Sequence, residues 1–66
     1  MVVYVNGEQH ALVRPMTIAE LLDDLAIKPG RIAVAVNRQV VPRGQYASQQ
    51  VHADDQIDIV QAVGGG

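Results

Sequence analysis

The 66-residue sequence predicts an α+β domain of order β-β-α-β-β-β, with one helix laid across one face of a mixed sheet. Three observations predict it. An Asn6-Gly7 pair separates two strand-like runs. A capping box over 17–20 opens a short, apolar-striped helix. An Ile- and Val-rich run over 56–63 then leads straight into three glycines.

Met1 to Val5 is β-branched and aromatic, which suits a strand. Met1, Val3 and Val5 share one face, Val2 and Tyr4 the other. Asn-Gly tolerates positive φ at both turn positions and is the strongest short hairpin signal. The return strand runs over 9–13. A two-residue turn sets Val3 opposite His10 and Met1 opposite Leu12. His10 reads as a half-buried strand residue, because no catalytic partner stands beside it.

Pro15 ends that strand. In Thr17-Ile18-Ala19-Glu20 the Thr17 hydroxyl can accept from the Glu20 N–H while Glu20 reaches back to the Thr17 N–H. Met16 and Leu21 are spaced for a hydrophobic staple across the cap. Ile18, Leu21, Leu22 and Leu25 form one apolar stripe, and Glu20, Asp23 and Asp24 a solvated side. The expected helix is about nine to eleven residues, closed by Pro29-Gly30. A helix this short is marginal alone and needs the sheet.

Ile32 to Val36 alternates large residues with Ala33 and Ala35. The alternation leaves open which set faces the helix. Asn37-Arg38 reads as a turn and 39–41 as a short strand, with Pro42 marking an edge or end. Residues 43–50 form a turn-rich segment around Tyr46. Asp54-Asp55 is a turn signal. On the last strand Ile57 and Ile59 share one face, Asp58, Val60 and Ala62 the other. Such an apolar strand fits best in the middle of the sheet.

Composition narrows the function. The chain has no cysteine, so neither disulfide nor zinc cage supports its small core. A net charge of −2 and two aromatic residues argue against nucleic-acid binding. The longest apolar run, 32–36, is far below the ~20 residues of a membrane span. No basic leader precedes an apolar segment at the start. The expectation is a cytoplasmic protein that binds neither membrane nor nucleic acid.

The domain is expected over 1–63 and a glycine tail over 64–66. Taken alone, the tail reads as a frayed end or linker. Four extended residues, Val63 through Gly66, nevertheless reach about 13 Å at roughly 3.3 Å each. That is enough to thread a narrow channel and present a carboxylate inside it.

Together these residues resemble the β-grasp, ubiquitin-like fold and, within it, the ThiS family of thiamine-biosynthesis sulfur carriers. The matching stretches are Asn6-Gly7-Glu8, residues 17–22, residues 33–37, Val40-Val41-Pro42-Arg43, Asp55-Gln56-Ile57 and Val63 through Gly66. They cover nearly the whole chain. Two departures stand out: Asp54 replaces the glycine usual in the family, and Gly64 is extra. Aspartate tolerates a left-handed turn, so a local cost is expected without loss of function.

The resemblance implies the chemistry. A ubiquitin-activating-type adenylyltransferase uses ATP and Mg²⁺ to adenylate the Gly66 carboxylate. Persulfide sulfur from a relay protein (a cysteine desulfurase or rhodanese-like protein) displaces AMP. The Gly66 thiocarboxylate then supplies thiazole synthase. The chain itself is implied to be a carrier, not an enzyme, with no bound cofactor and no metal. It contains no phosphate-binding loop, so ATP belongs to the partner. Gly64, Gly65 and Gly66 give access to the partner's active site. Val60 and Ala62, with Val34 or Val36 beside them, are the candidate docking surface. The alternatives are a carrier like the small subunit of molybdopterin synthase, a ubiquitin-like modifier, or a plain interaction module.

Overall fold

Asn6 and Gly7 both hold positive φ, +51° and +83°, and turn the chain tightly enough to pair its first two strands. The computed structural model describes residues 1–28 and 30–61. Strand β1 is Val2–Val5 and β2 is Glu8–Ala11. Val3 lies opposite His10, as the turn requires. The Leu12 N–H donates to the Met1 carbonyl at 2.7 Å. Strand β2 stops at Ala11 instead of continuing to 13: Val13 is exposed, and the chain turns toward the helix through Arg14-Pro15.

Helix α1 is Ile18–Asp24, opened by the expected capping box. The Glu20 N–H donates to Thr17 Oγ1 (3.2 Å) and the Thr17 N–H to Glu20 Oε1 (2.9 Å). Sequence neighbours cannot satisfy every donor of a first helical turn. Here the segment after the 3-10 turn (Arg43–Gln45) does so. The Ile18 N–H donates to the Gln49 carbonyl (3.0 Å) and the Ala19 N–H to the Tyr46 carbonyl (2.8 Å). The turn-rich segment around Tyr46 is therefore a lid on the helix N-terminus, with Tyr46 itself buried.

The helix is seven residues long, shorter than expected, and Pro29-Gly30 does not close it. It ends where Ala26 enters the left-handed region at φ +58°. The Ile27 N–H donates to the Leu22 carbonyl (2.8 Å) and the Ala26 N–H to the Asp23 carbonyl (3.0 Å). This is a Schellman closure built on alanine where glycine is usual.

Strands β3 (Ile32–Val36) and β4 (Gln39–Val41) form a second hairpin, turned by Asn37 and Arg38 at φ +51° and +69°. Strand β5 (Gln56–Gln61) completes a five-stranded sheet of order β2-β1-β5-β3-β4. The last strand is central, as expected, parallel to β1 and antiparallel to β3.

The core lies between α1 and one face of this sheet. Ile18, Leu21, Leu22, Ile57, Val3 and Val34 are completely enclosed. Each such side chain contributes about 1.5–3 kcal/mol relative to exposure. That apolar contact holds a helix too short to stand alone. It also settles the alternation in β3: Ile32, Val34 and Val36 face the helix, while Ala33 is exposed and Ala35 half-buried on the opposite face.

Candidate functional site

Strand β5 runs toward the C-terminal glycines, so the site begins with what fixes this strand. The Tyr4 N–H donates to the Asp55 carbonyl (2.9 Å) and the Asn6 N–H to the Ile57 carbonyl (2.8 Å) on the β1 side. The ladder on the other side reaches Gln61, which lies opposite Ile32.

Two asparagines reinforce the strand from the two hairpin turns. Asn6 Oδ1 accepts from the Ile59 N–H (2.8 Å), and Asn6 Nδ2 donates to the Ile59 carbonyl (3.2 Å). Asn37 Oδ1 accepts from the Gln56 N–H (3.0 Å), and the Asn37 N–H donates to the Gln56 carbonyl (2.7 Å). Each asparagine occupies the first position of its turn at φ +51°. The left-handed conformation they tolerate lets one residue serve both turn and clasp. The sequence revealed their turn role but not the clasp, because their partners lie 53 and 19 residues away.

Before β5 the chain turns at Asp54, φ +67°, in the left-handed region that aspartate tolerates. Asp55 is buried. Its carboxylate accepts from Asn37 Nδ2 (3.0 Å) and from the His52 N–H (2.8 Å).

The open sheet face carries exposed apolar residues near the end of β5, beside the exposed Asp58, which lies opposite Ala35. Val60 is 61 % exposed and Val40 75 % exposed. Val60 lies opposite Ala33, and Val40 opposite Ala35. Val34 and Val36 do not belong to this group. They are 1 % and 9 % exposed and lie opposite Ile59 and Ile57 on the helix-facing side. Their expectation as docking residues is corrected: the bulky half of β3 fills the core, and Ala33 and Ala35 take the outer places. Ala62, Gly64, Gly65 and Gly66 lie outside the described residues.

Titratable chemistry is sparse. The Thr17 N–H bonded to Glu20 holds the Glu20 carboxyl below its ordinary value, opposed by desolvation and aided by the charge of Arg14. This belongs to the helix cap. Among the described residues no cluster of three or more His, Asp or Glu is placed to hold a metal ion. None of their helices is long and apolar enough to cross a membrane. A groove of about 460 Å³ between α1 and the 3-10 turn is lined mainly by apolar residues, including Leu22, Ile27 and Tyr46. It lies on the helix side, away from Val60.

The ThiS family model matches residues 3–66. The chain belongs to the ThiS family. A protein of Escherichia coli K12 called sulfur carrier protein ThiS is 35 % identical over 66 residues, spanning all of both chains. The crystal structure of the thiamine biosynthesis protein ThiS from Geobacter metallireducens superposes with a TM-score of 0.87 at 25 % identity, covering all of both chains. The architecture is thus the β-grasp expected of a ThiS-family chain. Proteins called thiazole synthase from Magnetococcus marinus and Paramagnetospirillum magneticum are 39 % and 35 % identical over all 66 residues. The chain spans 20 % of the length of each of those two relatives.

Proposed function

We propose that this ThiS-family chain is a sulfur carrier of thiamine biosynthesis, loaded at the Gly66 carboxylate. It acts as carrier and co-substrate, not as an enzyme. One observation carries the reading: a family β-grasp whose clasped central strand runs in sequence to Gly64-Gly65-Gly66.

A carboxylate resists nucleophilic attack because it is already negative and has no good leaving group. Adenylation removes both obstacles. A Gly66 carboxylate oxygen attacks the α-phosphorus of ATP and releases pyrophosphate, with Mg²⁺ held by the adenylyltransferase. The terminal sulfur of a relay protein's persulfide then attacks the acyl carbon and expels AMP. A thiol cleaves the resulting S–S bond, leaving the thiocarboxylate on Gly66 and a disulfide on the sulfur donor side. The chain contributes no cysteine that could divert this sulfur. A cytoplasmic location is part of this proposal, since ATP is available there.

Thiazole synthase is the proposed acceptor. The two relatives of that name include a stretch similar to this whole chain, which supports carrier and acceptor working together. The adenylyltransferase is proposed to grip the open face at Val60, Val40, Ala33 and Ala35, while the bare glycines pass into its active site.

Intact mass spectrometry after incubation with a ThiS-activating adenylyltransferase, ATP and a persulfide donor tests the proposal. Exchange of one oxygen for sulfur at Gly66 is expected. An isopeptide adduct instead identifies a modifier, and an unchanged mass refutes loading.

A further inference from the structure

The two ladders of β5 end at different heights. Pairing with β1 stops at Val5 opposite Ile57, whereas pairing with β3 continues to Gln61. From Ile59 onward no strand among the described residues pairs with the β1 side. The Asn6 amide fills that gap by accepting from the Ile59 N–H (2.8 Å) and donating to its carbonyl (3.2 Å). It stands in for the peptide group that β1 would offer had the chain not turned away. Ile59 precedes Gly66 by seven residues.

We propose that Asn6 is a positioning residue for activation of the C-terminal carboxylate, acting by holding the end of β5 from the side that β1 leaves bare. The inference rests on the carrier reading above. A strand end held on one side only can swing about its remaining partner. Seven extended residues span about 23 Å, so a swing of about 10° at Ile59 displaces a drawn-out end by about 4 Å. Misplacement of reacting atoms by about 1 Å can cost on the order of 100-fold in rate. Asn37 provides an internal comparison. It has the same residue type, the same φ and a similar clasp, but it grips Gln56 at the start of the strand.

The test uses Asn6→Gly and Asn37→Gly, since glycine keeps the left-handed turn and removes only the side-chain amide. Carboxylate adenylation is followed by ATP–pyrophosphate exchange with a ThiS-activating adenylyltransferase. Asn6→Gly is expected to lower kcat by about tenfold or more with KM unchanged. Asn37→Gly is expected to leave both constants unchanged. Equal kinetics for the two variants, or wild-type kinetics for Asn6→Gly, overturns the inference.

The ¹⁵N heteronuclear NOE of Gln61 is measured on the same samples. It is expected to fall in Asn6→Gly alone, and an unchanged value overturns the inference. Should wild-type protein fail to be adenylated, the carrier reading fails, and the NOE alone decides whether Asn6 orders the strand end.

Discussion

Asn37 Nδ2 donates to the Asp55 carboxylate at 3.0 Å, tying the second hairpin turn to the bend that launches the central strand. The same carboxylate accepts the His52 N–H at 2.8 Å. Replacing Asp55 with Ala leaves both donors of these part-buried bonds without that partner. Each lost partner of this kind costs about 1–3 kcal/mol. Asp55→Ala is expected to lower unfolding free energy by about 2–3 kcal/mol in urea titration, with the m-value unchanged. Asp55→Asn keeps an acceptor and is expected to lose less.

Ala26 at φ +58° and Asp54 at φ +67° hold the left-handed backbone with side chains that oppose it. The conformation costs a non-glycine residue about 1–2 kcal/mol, with aspartate penalised least. Glycine removes the strain but adds freedom to the unfolded chain. Ala26→Gly is expected to stabilise by about 0.5–1 kcal/mol. In a domain this small a gain of 1 kcal/mol raises Tm by about 4–8 °C, readable by thermal denaturation. Asp54→Gly is expected to change Tm less, because aspartate tolerates the left-handed region better than alanine does.

Glu20 gives the fold one acid-sensitive point. Its carboxyl is held below its ordinary value of 4.5, first by the Thr17 N–H. A depressed carboxyl adds stability above its unfolded value and loses it as pH falls through the folded one. Wild type is therefore expected to lose stability relative to Glu20→Gln as pH drops below 4.5, and to regain it above. Urea midpoints for both proteins across that interval check the sign.

The local rules that carried the sequence reading were strong at turns and caps. Asn6-Gly7, Thr17 and Glu20 each announce a conformation through neighbours within three residues, and each is found there. The central place of β5 was legible from its apolar run. The helix end was not, because Ala26 gives no left-handed signal and Pro29-Gly30 drew the boundary past it. The facing of β3 was closed to sequence for a different reason. Both its alternating sets are apolar, so only the helix across the sheet decides that Val34 is core and Ala33 is surface. The clasps of Asn6 and Asn37 depend on pairings that exist only once the sheet is assembled.

The tail glycines are proposed to serve access, not folding. Gly65→Ala and Gly66→Ala are expected to keep the wild-type Tm. Adenylation by the activating enzyme is expected to fall sharply, by about tenfold or more, because a methyl group must fit a channel shaped for bare backbone. Pyrophosphate exchange beside a thermal melt separates the two effects. Undiminished exchange would remove the channel from the mechanism.

Val60 and Val34 sit on neighbouring strands, both are valines, and they face opposite ways: one 61 % and the other 1 % exposed. The difference makes a paired test of the docking face. Val34→Ala removes two methyl groups from the enclosed core, at roughly 1–3 kcal/mol of stability. Its effect on affinity for the adenylyltransferase is expected to be nil while the protein stays folded. Val60→Asp faces solvent in the free protein, so its stability is expected to change by about 0.5 kcal/mol or less. At the proposed interface it buries an unpaired carboxylate where an apolar contact stood. A loss of about 1.4 kcal/mol or more, tenfold in KM, is expected with kcat retained. Val40→Asp should follow Val60→Asp in direction, since both lie on the open face. A KM that responds to Val34 and ignores Val60 would place the docking surface elsewhere on the domain.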